Sequence, residues 1–321
     1  MVPTCAVFAQ GNTVPDGPGP MVSLQLENDV AVGEDGGYTS GIRASLFPRQ
    51  HSTPDFIADM IRPVSLVADR DQDLPYSISI EQLMFTPEDV SNPEFPPEDR
   101  PFAGWLNLTG SAFAISDSQL ERWQLGVGVV GPASLAEQSQ KATHTLTAQT
   151  QPVGWESQLP NEPTLQLGWD RQWRIPIPYR PGGLSLEVSP MLGGAVGNAV
   201  TGVEAGSFIR LGDNIPLDFG PPRLRSLAGG SAFFRPQQGF GWYLYAGAAG
   251  RYKAHDIFLD GSLFQDTDSV DKEPFIGQGF FGAAFHQGPA RLVLTGVLET
   301  DAFEQQDDAT LFGAASLSWQ F

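Results

Sequence analysis

His144 is the only plausible general base of this chain, and Gln140 is the polar residue best placed to assist it. They lie four positions apart in SLAEQSQKATHTL, so a helix places both side chains on one face. Ser134 and Glu137 have the spacing of a capping box, which predicts that this helix begins at Ser134. A histidine can take a proton from water, and a glutamine one turn earlier can orient that water or stabilise an oxyanion. A single helical histidine is also often structural, so both interpretations stay open.

A second polar group falls in the segment SLQLENDV. If this segment is a strand, Glu27 and Asp29 share the face toward a barrel lumen, and Asn28 lies at the rim. Two carboxylates and an amide offer the oxygen ligands that a hard divalent cation prefers. Thr39 in the next strand returns to the same rim, opposite Asp29. The alternative is an ordinary polar barrel interior.

Arg100 is the second residue of the motif DRPFAGW, which spans Asp99 to Trp105. At a rim its guanidinium could bind a carboxylate or a phosphate of a substrate, or it could form a structural pair with Asp99 that anchors the loop. The chain contains no GxSxG, HExxH or CxxC pattern, so the sequence supports neither a serine-elbow hydrolase nor a zinc site with those spacings.

The charge argues against a nucleic-acid partner, and the first residues resemble a secretory signal. The net charge is −19 and no basic stripe is present, so a nucleic-acid partner is not expected. Divalent cations can bridge an acidic surface to anionic lipid, although solvated loops also explain the charge. The start, MVPTCAVFAQ, is typical of the end of a secretory signal, so we expect residues 1–9 to be a signal-peptide remnant and residues 10–321 one domain. Cys5 is the only cysteine and excludes an internal disulfide.

Alternating hydrophobicity predicts an all-β transmembrane barrel. In ATLFGAASLSWQF, large and small apolar residues fall on one face and mostly small or polar residues on the other. No apolar run reaches the length of about 18 residues that a membrane helix needs. Similar segments predict twelve antiparallel strands, near 21–31, 38–48, 76–85, 102–115, 119–130, 162–173, 183–196, 199–211, 238–251, 274–287, 289–299 and 309–321.

The topology then gathers the polar motifs at one end of the barrel. With both termini in the periplasm, the connections 30–38, 86–101 and 131–161 lie on the extracellular rim, and the last of them carries the short helix. Residues 48–75 and 212–237 are unusually long for periplasmic turns, and the first of these has the pattern of a short amphipathic helix.

Six motifs in order resemble the outer-membrane lipid A 3′-O-deacylase family. They are LEND (Leu26 to Asp29), YTSG (Tyr38 to Gly41), FTPEDV (Phe85 to Val90), DRPFAGW (Asp99 to Trp105), VVGPASLAEQSQKATH (Val129 to His144) and GWESQLPNEP (Gly154 to Pro163). The match covers nearly the whole chain after the predicted signal.

The resemblance implies an enzyme that removes the 3′-linked acyloxyacyl chain of lipid A at the extracellular side of the outer membrane, with a divalent cation, calcium in particular. It implies that His144 is the base that activates water and that Gln140 is the glutamine one turn before it. Asn28, Asp29 and Thr39 would form the polar cluster near the ester and the cation.

The sequence departs from the family pattern at two places. Ser40 stands where YTNG is usual, and the stretch from residue 71 to residue 99 has no lysine or arginine. We therefore expect Ser40, and Arg100 or a bridging cation, to contact the lipid A head group. The cation itself is expected near Glu27, Asn28 and Asp29. The expected partners are lipopolysaccharide, the outer membrane and, during biogenesis, the barrel-assembly machinery.

Two other classes of protein are compatible with parts of the pattern. A non-enzymatic barrel, such as a porin or an adhesin, explains the strands and the charge but leaves the helix with His144 unexplained. A phospholipase-type esterase explains the location, but the expected pair of a histidine and a nearby serine on a strand is not found.

Overall fold

The computed structural model describes residues 19–28, 37–48, 53–68, 74–92, 99–306 and 309–321. In chain order, its strands are β1 (Met21–Asn28), β2 (Gly37–Phe47), β3 (Tyr76–Thr86), β4 (Ala103–Ile115), β5 (Gln119–Val130), β6 (Glu162–Trp173), β7 (Ile175–Ile177), β8 (Ser185–Gly197), β9 (Val200–Asp213), β10 (Leu217–Asp218), β11 (Phe234–Arg235), β12 (Gln237–Asp256), β13 (Phe275–Gly288), β14 (Ala290–Glu299) and β15 (Thr310–Gln320). The α-helices are α1 (Asp55–Ile61), α2 (Ala136–Thr147) and α3 (Ile257–Asp260).

The twelve long strands form a closed antiparallel barrel, which confirms the predicted fold. Neighbours in sequence pair throughout, β6 pairs with β8, and β1 pairs with β15 to close the wall. The three short strands, β7, β10 and β11, lie outside this count. Among the described residues, each of the twelve long strands pairs with a neighbour on both sides, and such closure is what allows strands to exist in lipid. We call the end with Met21 and Gln320 the terminal end, and the end with α2 the helix end.

Side chains alternate between the two faces of the wall, as the sequence predicts. In β1, Leu24 and Leu26 point outward and are 44% and 48% exposed, whereas Gln25 and Glu27 are buried in the lumen. In β5, Leu125 and Val127 are likewise about half exposed, at 51% and 50%. The outer face is therefore an apolar band, as a membrane-spanning barrel needs.

The connection after β9 fills the lumen. The connection, residues 214–236, contacts the inward face of the wall: Arg223 pairs with Glu204 at 3.1 Å, and the backbone N–H of Leu224 donates to Glu27 at 2.7 Å. Arg225 pairs with Glu299 at 2.6 Å. This long connection is therefore an internal plug, which explains a length that a periplasmic turn would not need. Because its charges are paired with wall charges, their burial is compensated.

Helix α3 closes the lumen at the helix end. The ring of Phe258 stacks on Phe85, with their centroids 4.1 Å apart. Asp260 accepts hydrogen bonds from Lys272 at 2.6 Å and lies 3.4 Å from His255. Partial burial raises the pKa of Asp260, but the hydrogen bonds of its carboxylate with His255 and Lys272 outweigh that effect and lower the pKa to about 2. Between α3 and the plug, a cavity of about 120 Å³ is left.

The predicted start of the helix is wrong, and the predicted domain boundary stays untested. Helix α2 begins at Ala136, not at Ser134; its N-cap is Leu135 in a left-handed conformation, whose side chain makes no capping hydrogen bond. Ser134 belongs to the preceding turn because its carbonyl accepts a hydrogen bond from Gln82 on the wall. The domain boundary predicted at residue 10, together with Cys5, lies outside the described residues. Within the described ranges, none of the helices has the length and apolar character to cross a bilayer.

Candidate active site on the outer wall

Helix α2 lies on the outside of the barrel wall. Ala136 at its first turn packs with Met84, which points outward from β3. Gly104 on β4 makes the close approach possible, because a Cβ at this position would overlap both Ser134 and Ala136. Gln82, also on the outer face, donates to the Ser134 carbonyl at 2.6 Å. The helix is thus fixed to the wall through β3 and β4.

His144 lies on the buried face of α2. Ala136, Gln140 and His144 are 1%, 1% and 3% exposed and are spaced by four residues, so one side of the helix carries all three. The Nδ1 atom of His144 lies 2.5 Å from the carbonyl oxygen of Thr150. A carbonyl can only accept, so Nδ1 carries the proton in this contact. In the neutral imidazole, Nε2 then has the free lone pair that a general base needs.

The end of α2 explains how Thr150 reaches His144. Ala148 adopts a left-handed conformation with φ of 56°, and the N–H of Gln149 donates to the His144 carbonyl at 2.9 Å. The chain therefore reverses immediately after the helix. This reversal brings the Thr150 carbonyl back beside the imidazole.

Gln140 is oriented by a tryptophan that the sequence analysis did not assign. The indole Nε1 of Trp155, which can only donate, gives a hydrogen bond of 2.7 Å to Oε1 of Gln140. This contact sets the orientation of the amide. Nε2 of Gln140 is buried and has no hydrogen-bond partner among the described residues. The side chain therefore presents a fixed N–H donor, the kind of group that stabilises an oxyanion.

Trp155 is itself held by close packing. It is 2% exposed, and its ring lies 5.1 Å from that of Phe102. The preceding Gly154 has φ of 95°, and a Cβ there would lie 2.8 Å from the Phe102 ring. Both the positive φ and the close contact with Phe102 require a glycine at this position. Trp155 belongs to the motif GWESQLPNEP, but only the fold shows that its side chain contacts Gln140.

Asn28 and Ser40 continue the same outer surface. Asn28 pairs with Ser40, Ser40 with Met84, and Met84 with Gly104, so these four positions form one row across β1 to β4. Thr39 falls at an irregularity in the pairing of β2 with β3. Such bulges are common beside active sites, where they redirect a side chain. The row places Asn28 and Ser40 on the face of the wall that carries α2.

Glu27 and Arg100 lie on the other side of the wall. The Glu27 carboxylate is in the lumen, where it accepts hydrogen bonds from Gln25 and from the plug. Arg100 is 3% exposed, and its guanidinium lies 5.6 Å from the ring of Phe85, which points inward. Burial is the main cause that lowers the pKa of Arg100, to about 10. The structure therefore does not bring these two side chains to the surface that holds His144.

The residues predicted to bind a divalent cation lie at the end of β1 or directly after it. Of the residues predicted to hold the cation, Asn28 offers an amide oxygen on the outer face, which suits a hard cation, and the Glu27 carboxylate lies in the lumen. Asp29, which would supply the negative charge, lies outside the described residues. In the part of the chain that the structure describes, no three His, Cys, Asp or Glu side chains cluster as a metal site. The amide oxygen of Asn28, at the end of β1, is of the chemical type that a divalent cation such as calcium binds.

These features define the class of protein. The chain is a transmembrane β-barrel with a filled lumen, and a histidine and a glutamine are held against its outer wall. Both groups therefore lie on the outer side of the wall rather than in the lumen.

The comparisons with known proteins agree with this class. The sequence model described as "Outer membrane protein LpxR" matches residues 1–321. The chain therefore belongs to the LpxR family of outer-membrane proteins, and the resemblance to the outer-membrane lipid A 3′-O-deacylases is confirmed. No curated protein sequence matches it.

Solved structures share the fold. LpxR from Salmonella typhimurium superposes with a TM-score of 0.76 at 17% identity, covering 94% of this chain and 100% of the other. The β-domain of the Bordetella autotransporter BrkA gives a TM-score of 0.44 at 12% identity, covering 95% of this chain and 100% of that one. The translocator domain of NalP from Neisseria meningitidis gives 0.42 at 9% identity, covering 94% and 89%. Only the first likeness is close enough to compare folds.

Proposed function

We propose that this protein hydrolyses the ester that links the 3′ acyloxyacyl chain to lipid A, with His144 as the general base. The observation that carries the proposal is the contact of His144 Nδ1 with the Thr150 carbonyl, on a helix fixed to the outer wall. This contact leaves Nε2 as the proton acceptor. Family membership supports the class of substrate.

In the proposed reaction, Nε2 of His144 takes a proton from a water molecule while its oxygen attacks the ester carbonyl. The carbonyl oxygen becomes negatively charged, and the Nε2 amide group of Gln140 donates a hydrogen bond to it or to the water. The proton then passes to the leaving alkoxide of the sugar as the tetrahedral intermediate collapses. A donor of this kind typically contributes about 10²–10³-fold to the rate.

The cation and the head group have separate places in the proposal. Asn28 and Asp29 would hold a divalent cation, the calcium ion that the family resemblance implies, with Thr39 beside them; when bound, it would polarise the ester carbonyl. Ser40, which pairs with Asn28 across β1 and β2, would contact the sugar. Glu27 and Arg100 act from the lumen by anchoring the plug and the loop.

The orientation of the barrel follows from the substrate. Lipid A occupies the extracellular leaflet, so we propose that the helix end faces outward and the terminal end faces the periplasm. The acyl chains would lie along the apolar outer wall. The barrel-assembly machinery is the proposed partner in biogenesis. The filled lumen gives no support to a porin, because a plug and α3 occupy the path that a solute would need.

Mass spectrometry of lipid A from Gram-negative cells that express the protein tests this proposal, with calcium in the medium. We expect loss of the 3′ acyloxyacyl mass with the wild type and unchanged lipid A with His144→Ala. Thr145→Ala is the matched control, because Thr145 is the adjacent, exposed residue of the same helix. Full activity of a folded His144→Ala variant would refute the role of His144.

A second outcome tests the proposed substrate independently of the role of His144. If wild-type cells keep intact lipid A although the barrel is folded, the proposed substrate is wrong. Purified protein assayed on phospholipid vesicles then distinguishes a phospholipase-type esterase from a barrel without hydrolytic activity.

A further inference from the structure

The connection between β2 and β3 lies against the outside of the barrel at its terminal end. Ala58 and Ile61 of α1 pack in one cluster with Ala112 and Ala114. These two alanines have the same parity on β4 as Leu108, which points outward and is 50% exposed. The described part of the connection, residues 53–68, thus covers the membrane-facing side of the wall.

A carboxylate on the outer wall fixes this segment. Glu121 of β5 pairs with Ala114 and therefore points outward, yet it is fully buried. Its Oε2 accepts hydrogen bonds from the Ser65 hydroxyl at 2.5 Å and from the Leu66 N–H at 2.9 Å, and its Oε1 accepts one from Trp169 at 2.8 Å. A charged group on the lipid face is costly, so the segment both satisfies Glu121 and is held by it.

The other side of the segment is apolar and uncovered. Phe56, Met60, Val64 and Leu66 are 66%, 71%, 54% and 69% exposed, whereas Ala58 and Ile61 on the wall side are 4% and 8% exposed. Four large apolar side chains within eleven residues would be unfavourable in water. They project from the same surface as the apolar outer face of the strands.

The depth of the segment is marked by tryptophan residues. Trp123, which packs against the segment, and Trp169, which donates to Glu121, both point outward from the wall, with ring centroids 6.3 Å apart. Trp319 at the end of β15 points outward at the same end of the barrel and is 47% exposed. Outward tryptophans in a barrel form the girdle at the membrane interface. The segment therefore lies at interfacial depth rather than in bulk water.

We propose that residues 53–68 form an interfacial anchor that inserts Phe56, Met60, Val64 and Leu66 among the phospholipids of the leaflet at the terminal end. Lipid, rather than another protein, is the occupant because the exposed side chains are continuous with the apolar outer wall and lie at the tryptophan girdle. With the proposed orientation, this is the periplasmic leaflet. The anchor does not depend on the chemistry at His144.

Spin labels on neighbouring residues of α1 test the insertion. In a Cys5→Ser background, Met60→Cys and Asp59→Cys are labelled, and the barrel is reconstituted in vesicles of phosphatidylethanolamine and phosphatidylglycerol. The Asp59 side chain is 76% exposed and serves as the matched control on the polar side. Power saturation of each label is measured with oxygen, which partitions into lipid, and separately with a nickel chelate, which stays in water. We expect the label at position 60 to be relaxed mainly by oxygen and the label at position 59 mainly by nickel.

Each other outcome overturns the proposal. Nickel dominance at both positions would place the segment in water. Protection of position 60 from both reagents, with dipolar broadening between labels, would mean that a second copy of the chain covers it. Because His144 and Gln140 are untouched, retained lipid A deacylation in the labelled variants shows that they fold. Loss of insertion with retained activity would refute the anchor alone.

A separate variant tests whether Glu121 holds residues 53–68 to the wall. Glu121→Gln keeps the size of the side chain but replaces one acceptor oxygen by a donor group, so it loses a hydrogen bond from the segment or from Trp169. We expect the label at position 60 to become more mobile and more accessible to nickel. An unchanged spectrum would show that apolar packing on Ala112 and Ala114 is sufficient to hold the segment.

Discussion

The seating of α2 on Gly104 gives the most direct test of the proposed site. In Gly104→Ala, the added Cβ would overlap the Cβ of Ala136. Ordinary van der Waals contact begins at 3.4 Å, and the two atoms would be more than 1 Å too close. The wall strand is held by hydrogen bonds on both sides, so the helix has to move. A misplacement of about 1 Å at a catalytic group can cost about 10²-fold in rate.

Gly110→Ala is the matched control for this variant. Gly110 lies on the same strand and the same outer face, and a Cβ there meets nothing within 4 Å. We expect kcat/KM for lipid A deacylation in detergent micelles to fall about 10²-fold in Gly104→Ala and to stay near the wild-type value in Gly110→Ala. Both variants should migrate as folded barrels on unheated gels. Wild-type activity in a folded Gly104→Ala variant would refute the argument that the seating of α2 positions His144.

Three further predictions concern other parts of the molecule. Trp155→Phe removes the donor that orients Gln140, so we expect kcat to fall about 10-fold, the equivalent of one hydrogen bond of roughly 1.4 kcal/mol, with KM little changed; an unchanged kcat would contradict the role of this contact. In planar bilayers the wild type should show no steady conductance, whereas a variant lacking residues 221–230 should conduct; a closed channel in that variant would show that the plug does not seal the lumen. The lowered pKa of Asp260 means that its stabilising effect is present above pH ~4, the usual aspartate value, and is lost as the pH falls through about 2. Pepsin cleavage within residues 257–272 should therefore increase between these pH values in the wild type, and Asp260→Asn should be cleaved readily throughout; equal cleavage of both proteins would contradict this explanation.

The strands and the faces of the wall could be predicted from the sequence because alternation is a local property. Each residue of a strand faces the opposite side from its neighbour, so Leu24 and Leu26 were separable from Gln25 and Glu27 without knowing any partner strand. The predicted bounds agree with the observed strands to within a few residues, except in β12, which runs five residues further. There the continuing strand has polar and basic residues beyond the membrane band, so hydrophobicity gives no signal for its end.

The plug and the start of α2 could not be predicted because their causes are contacts between distant residues. Arg223 has no local reason to lie in a lumen; it does so because Glu204 on a wall strand pairs with it. Ser134 and Glu137 have the spacing of a cap, but the wall competes for Ser134 through Gln82 and Gly104, and the helix begins two residues later. Tertiary contacts here override a local preference.

The sequence by itself determined that this chain is a twelve-stranded outer-membrane barrel of the lipid A deacylase family and that Gln140 and His144 share a helical face. These conclusions depend on periodicity and on motifs, which are read along the chain. The alternation of β1 already put Glu27 toward the lumen and Asn28 at the rim. Only the tertiary structure decided that α2 docks on the outer wall, on the face that carries Asn28 and Ser40, and that Arg100 lies inside. The physical reason is that the docking of a helix or a loop depends on contacts between residues distant in sequence.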